Sequence, residues 1–134
     1  MNRKIAQIAL IVKDYDEAIN FYVHKLKFKL IEDTIIDKNK RWVLVSPDIE
    51  NSSSILLAKA DSENQSKFIG NQAGGRVFLF LHTNNFEKEF QNLKDNNIKI
   101  VRDPVIEQYG TVLVFEDLYG NLWDLIEPKA NQNE

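Results

Sequence analysis

The chain has 134 residues, 43% of them hydrophobic and 28% charged, with 17 Lys and Arg against 20 Asp and Glu for a formal charge of -3. That length suits one domain, and mixed, scattered charge sets up no field that would draw nucleic acid or an anionic membrane surface. The absence of cysteine excludes disulfides, thiolate metal sites and a cysteine nucleophile, so any metal must use nitrogen or oxygen donors.

Met1-Asn2-Arg3-Lys4 runs straight into a strand-like segment, and no stretch approaches about 20 apolar residues, so a cytoplasmic protein is expected. Ile5 to Val12 is apolar and β-branched, interrupted only by Gln7, and predicts a strand. Asp14 with Glu17 forms a capping-box start, and Tyr15, Ala18, Ile19, Phe21, Tyr22 and Leu26 give the helix after it an apolar face. Three strands are predicted next, at Lys27 to Ile36, Lys40 to Ser46 and Ser53 to Ala60. Ser62 to Ile69 reads as a short helix, and Gly70 to Gly75 as a joint. The order then restarts. Arg76 to Thr83 is a strand, Asn84 and Glu87 a capping box, and Phe86, Phe90 and Leu93 a helix stripe. Ile98 to Arg102, Thr111 to Glu116 and Asn121 to Glu127 complete the series, with turns expected at Asp103-Pro104 and Asp117 to Gly120.

The predicted fold class is therefore α+β, with tandem βαβββ repeats forming curved mixed sheets around a cleft, one domain over 1–134 with halves at about 4–60 and 75–127. Small-molecule sites favour such concavities. The opening Gln7-Ile8-Ala9-Leu10-Ile11-Val12-Lys13-Asp14 with Ala18-Ile19-Asn20-Phe21-Tyr22 resembles that of glyoxalase-like proteins. The close, Tyr109-Gly110-Thr111 and then Phe115 to Leu125 around Gly120-Asn121, resembles the last hairpin of the vicinal oxygen chelate superfamily of glyoxalases, bleomycin-resistance proteins and dioxygenases.

That resemblance implies one metal ligand from the first and one from the last strand of each half. Carried over residue by residue, the ligands fall on Gln7, seven residues before Asp14, and on Asp124, but also on Leu56 and on Phe78, seven before Asn85. The metal quartet is thus incomplete. A divalent metal would rest on Gln7 and Asp124, or on a rebuilt set that adds His82 and Glu107.

Each residue also has a plainer reading. Gln7 can be a satisfied buried amide, Asp124 a carboxylate paired with Arg, His82 a solvated residue at a strand end and Glu107 an exposed loop carboxylate. Arg41 or, better, Arg76 would fork a carboxylate or phosphate of a ligand if it points inward, and Trp42, Trp123, Phe78, Phe80 and Tyr109 would line the pocket. His24, near a helix end, is set aside. Two functions stay open. One is a glyoxalase-like protein acting on a small polar organic molecule, as a metal-assisted lyase, isomerase or dioxygenase-like enzyme with Glu107 as catalytic base. The other is a non-catalytic, ligand-sequestering homodimer resembling bleomycin-resistance proteins, favoured by the apolar Leu56 and Phe78.

Overall fold

Residues 1–130 are described by a computed structural model. The first half runs β1 (Gln7–Val12), α1 (Tyr15–Ile19) with a π-helical continuation (Asn20–Lys25), β2 (Lys29–Asp37), β3 (Lys40–Ser46) and β4 (Ser54–Lys59). A short α2 (Glu63–Ser66) follows. The second half runs β5 (Val77–His82), α3 (Phe86–Asp95), β6 (Ile100–Glu107), β7 (Gly110–Glu116) and β8 (Leu122–Pro128). The strands form two four-stranded sheets, ordered β1-β4-β3-β2 and β5-β8-β7-β6. In both, the first and last strands of a half pair in parallel and the others antiparallel. The fold is α+β, built from a tandem repeat. Two compact units, Met1–Gln72 and Ala73–Glu134, divide inside the Gly70–Gly75 stretch.

In the first unit Leu10, Val12, Val43, Val45, Ile55 and Leu57 are buried, as are Ala18, Phe21 and Tyr22 from the helix. Asp14 caps that helix by accepting a hydrogen bond from Glu17 N at 2.9 Å. Uniform helical spacing was expected up to Leu26, yet the last turns are π-helical, with Leu26 N donating to Phe21 O at 2.8 Å. The wider turn is accompanied by ring packing of Tyr22 against Phe21 at 5.1 Å and Phe28 at 5.7 Å between centroids.

In the second unit Phe115 and Trp123 stack at 5.9 Å and are buried with Leu113, Leu125, Phe86 and Leu93. The α3 cap is Asn85 rather than Asn84, its Oδ1 accepting from Lys88 N at 3.2 Å. Phe86 N, another helix-end donor, is taken by the Glu127 carboxylate at 2.8 Å. Asp103-Pro104, expected as a turn, instead lies within β6. Proline is tolerated there because β6 is an edge strand, and the register slips between Arg102 and Val105 absorb its missing donor. The turn falls later, at Gln108-Tyr109. The Asp117 to Gly120 turn is as expected. The Asp117 carboxylate accepts from Tyr119 N, Asn121 N and Asn121 Nδ2, each at 2.9 Å.

Candidate functional site

Facing residues of neighbouring strands put their side chains on one side of the sheet. In the second sheet one such row crosses every strand: Arg102 on β6 faces Val114 on β7, Val114 faces Asp124 on β8, and Asp124 faces Phe80 on β5. The matching row of the first sheet is Glu32, Leu44, Leu56 and Ala9. Ala9 and Phe80 each lie five residues before their helix cap, Asp14 or Asn85, so the rows hold equivalent places in the repeat. Leu56 is thereby the counterpart of Asp124. The first row is aliphatic except at its rim, where Glu32 accepts a hydrogen bond from Thr34 Oγ1 at 2.9 Å.

The charged row borders an open hollow of about 470 Å³ lined by Arg76, Val77, Phe80 and Asp124. Burial raises the Asp124 carboxyl above its ordinary value, and the positive charge of Arg102 pulls the other way. Among the described residues no hydrogen bond reaches the Asp124 side chain and no ion pair reaches Arg76. Phe80 is 62% exposed, an unusual cost for a ring on a sheet face.

Alternation was expected to set Arg76, Phe78, Phe80 and His82 on one face. A bulge breaks it: Val77 faces Leu122 and Leu79 faces Trp123, so Phe78 is left without a partner in β8. Val77, not Phe78, therefore joins Phe80 in the lining. His82 faces Ile126, two positions beyond the Phe80–Asp124 pair and on the same side, and is exposed. Glu107 ends β6 opposite Gly110, with Oε1 3.5 Å from an Arg102 nitrogen. Tyr109 sits in the hairpin turn and is exposed. Trp123 belongs to the core. Arg102 had not been singled out as a site residue. The signal was there, because the register of the repeat puts it in the row, but a strand ending at Arg102 hides that register.

In the first unit Trp42 lines a second hollow, of about 440 Å³, with Tyr15, Arg41, Leu56, Lys59 and Gln65 among its neighbours. Arg41 is already engaged. It grips Asp33 with two nitrogens at 3.0 and 2.6 Å and Asp16 at 2.9 Å, and lies 5.2 Å over the Tyr15 ring. It is therefore a brace between β2, β3 and α1 rather than an open fork for a ligand. Gln7 starts the edge strand β1, opposite Ser54, and is exposed.

The residues present do not suit a hard divalent cation, which needs several oxygen or nitrogen donors. Leu56 and Phe78 offer none. Val114 and Phe80 face Asp124 on the neighbouring strands, and the charge acting on it is that of Arg102, a cation rather than a further donor. Among the described residues no three His, Asp or Glu side chains gather in metal-binding range.

Comparison with known proteins agrees with the architecture. The chain is 59% identical over 133 residues to an uncharacterized protein of Shewanella frigidimarina (strain NCIMB 400), covering 98% of each. It superposes on the crystal structure of UcmS2 with a TM-score of 0.81 at 28% identity, covering 95% of this chain and 99% of that one. TnmS3, an antibiotic binding protein from Streptomyces sp. CB03234, shares the fold at a TM-score of 0.75 and 22% identity, over 96% of this chain and 98% of that one. The family description matches residues 4–125, and the chain belongs to the Glyoxalase/Bleomycin resistance protein/Dioxygenase superfamily.

Proposed function

We propose that the protein binds a small polar organic molecule against the Phe80–Asp124 face of its second sheet, without a resident metal, and works as a homodimer. The observation that carries this reading is the row Arg102, Val114, Asp124 and Phe80, which offers a carboxylate, a cation and an open ring. Few polar groups amid apolar ones are the usual make-up of a small-molecule site. The fold shared with TnmS3, which is described as antibiotic binding, supports a binding role over chemistry. A homodimer is supported by β2, exposed at every position though it carries Leu30, Ile31, Ile35 and Ile36.

Melting temperature tests the reading, because a ligand held only by the folded state must stabilise it. A panel of aromatic antibiotics and small oxyacids is expected to contain compounds that raise it by several degrees, an effect lost in Asp124→Ala. Ni, Zn, Mn and Fe salts are expected to leave it unchanged. Stabilisation by one of these metals that disappears in Gln7→Ala and Asp124→Ala would overturn the proposal. It would favour a metal-assisted enzyme with Glu107 as base.

A further inference from the structure

Arg76 and Asp124 line the same hollow with opposite charges, yet they do not pair with each other. Each is left with unused capacity. A guanidinium presents a planar fork that matches a carboxylate with two hydrogen bonds, whereas an ionised carboxylate only accepts and needs a donor. Phe80 adds a ring that is 62% exposed and that a second ring would cover by stacking. Arg102, on the same sheet, is partly neutralised by Glu107 at 3.5 Å, so among the described residues Arg76 is the cation of this hollow with no ion pair. An aromatic cation would satisfy Asp124 but meet Arg76 and Arg102. A bare benzoate would satisfy Arg76 but bring no donor to Asp124.

We propose that this hollow is a subsite for a flat aromatic carboxylate bearing a ring hydroxyl or amino group, with the acid on Arg76, the ring on Phe80 and the donor on Asp124. The inference rests on the ligand-binding reading above and narrows it to one chemical class.

Calorimetric titration with 3-hydroxybenzoate, 4-hydroxybenzoate, 4-aminobenzoate, benzoate and benzylamine tests it. At least one substituted acid is expected to bind about tenfold more tightly than benzoate, the worth of one hydrogen bond to a charged group, and benzylamine not at all. Arg76→Gln is expected to weaken the acids by about tenfold or more, and Asp124→Asn to narrow the advantage over benzoate, with benzoate itself binding no more weakly once the neighbouring negative charge is gone. Both side chains are at least partly exposed, so unaltered far-ultraviolet circular dichroism is expected of the variants. Tighter binding of benzylamine than of the acids, or unchanged acid binding in Arg76→Gln, overturns the proposal. If no acid in the set binds while another organic compound still stabilises the protein through Asp124, the subsite assignment falls and the broader function stands. If no organic compound binds, both fall.

Discussion

Asp124 and Asp33 show how two carboxylates of one chain acquire opposite pH behaviour. The hydrogen bonds from Arg41 hold Asp33 below its ordinary value against the pull of burial, whereas burial raises Asp124 against Arg102. A lowered carboxyl contributes stability above the unfolded value, near 3.9, which is lost as pH falls through the folded value. Arg41→Gln should therefore cost roughly 0.5–1 kcal/mol at pH 7, and the gap to the parent should narrow below about pH 4. For Asp124 the sign reverses: its contribution is fully present below the unfolded value and lost as pH rises through the folded one. Asp124→Asn should therefore be more stable than the parent at pH 7 by a few tenths of a kcal/mol, roughly, with the difference closing in acid. Urea midpoints at pH 7 and pH 3.5 check both, and parallel trends for the two variants would contradict this account. Gln7, Asp124, Leu56 and Phe78 were reached through the family resemblance, and the register adds that Leu56 and Asp124 hold equivalent places in the repeat. The Arg41 brace was not legible in the sequence, because Asp16 and Asp33 lie on other elements and only folding brings them to it.

Elements were most readable where local chemistry dictates local shape. Asp14 and the Asp117 turn act through neighbours a few residues away, and both are as the sequence implies. Deleting the Asp117 carboxylate would strand Asn121 N and Nδ2 in a nearly water-free turn, since Asp117 and Asn121 are 4% and 3% exposed. Asp117→Ala should cost roughly 2–3 kcal/mol, read as a lowered urea midpoint with an unchanged slope. Gly110 is as constrained for a different reason. A Cβ there would overlap the Glu127 carbonyl oxygen on β8, a backbone atom that no rotamer change can move. Gly110→Ala should destabilise by roughly 1–3 kcal/mol in the same measurement. The elements that escaped the sequence are those decided at longer range. Pro104 ends a strand by local rules, yet at a sheet edge β6 simply runs past it. The bulge at Phe78 is likewise set by how β5 meets β8, and it replaces Phe78 by Val77 in the site.

At the scale of the whole chain, the repeat accounts for both what is shared and what has diverged. Equivalent rows cross both sheets, but one is aliphatic around Leu44 and Leu56 and the other carries a carboxylate and an open ring. Equivalent edge strands carry equivalent surface: β2 exposes Ile35 at 76% and β6 exposes Ile106 at 78%. Exposed apolar edge strands invite pairing with another chain, and soluble proteins commonly charge or cover them. In the homodimer proposed above, a two-fold contact would present the same patch from both copies. On that proposal the protein should show twice the chain mass by light scattering, and its melting temperature should rise with protein concentration because association stabilises only the folded state. Replacing both Ile35 and Ile106 by Lys should give a monomer whose melting temperature no longer depends on concentration. Both side chains are largely solvent-exposed in the single chain, so the substitutions should leave its core intact. A parent protein that is monomeric at every concentration tested would remove the self-association reading while leaving the Asp124 hollow as it stands.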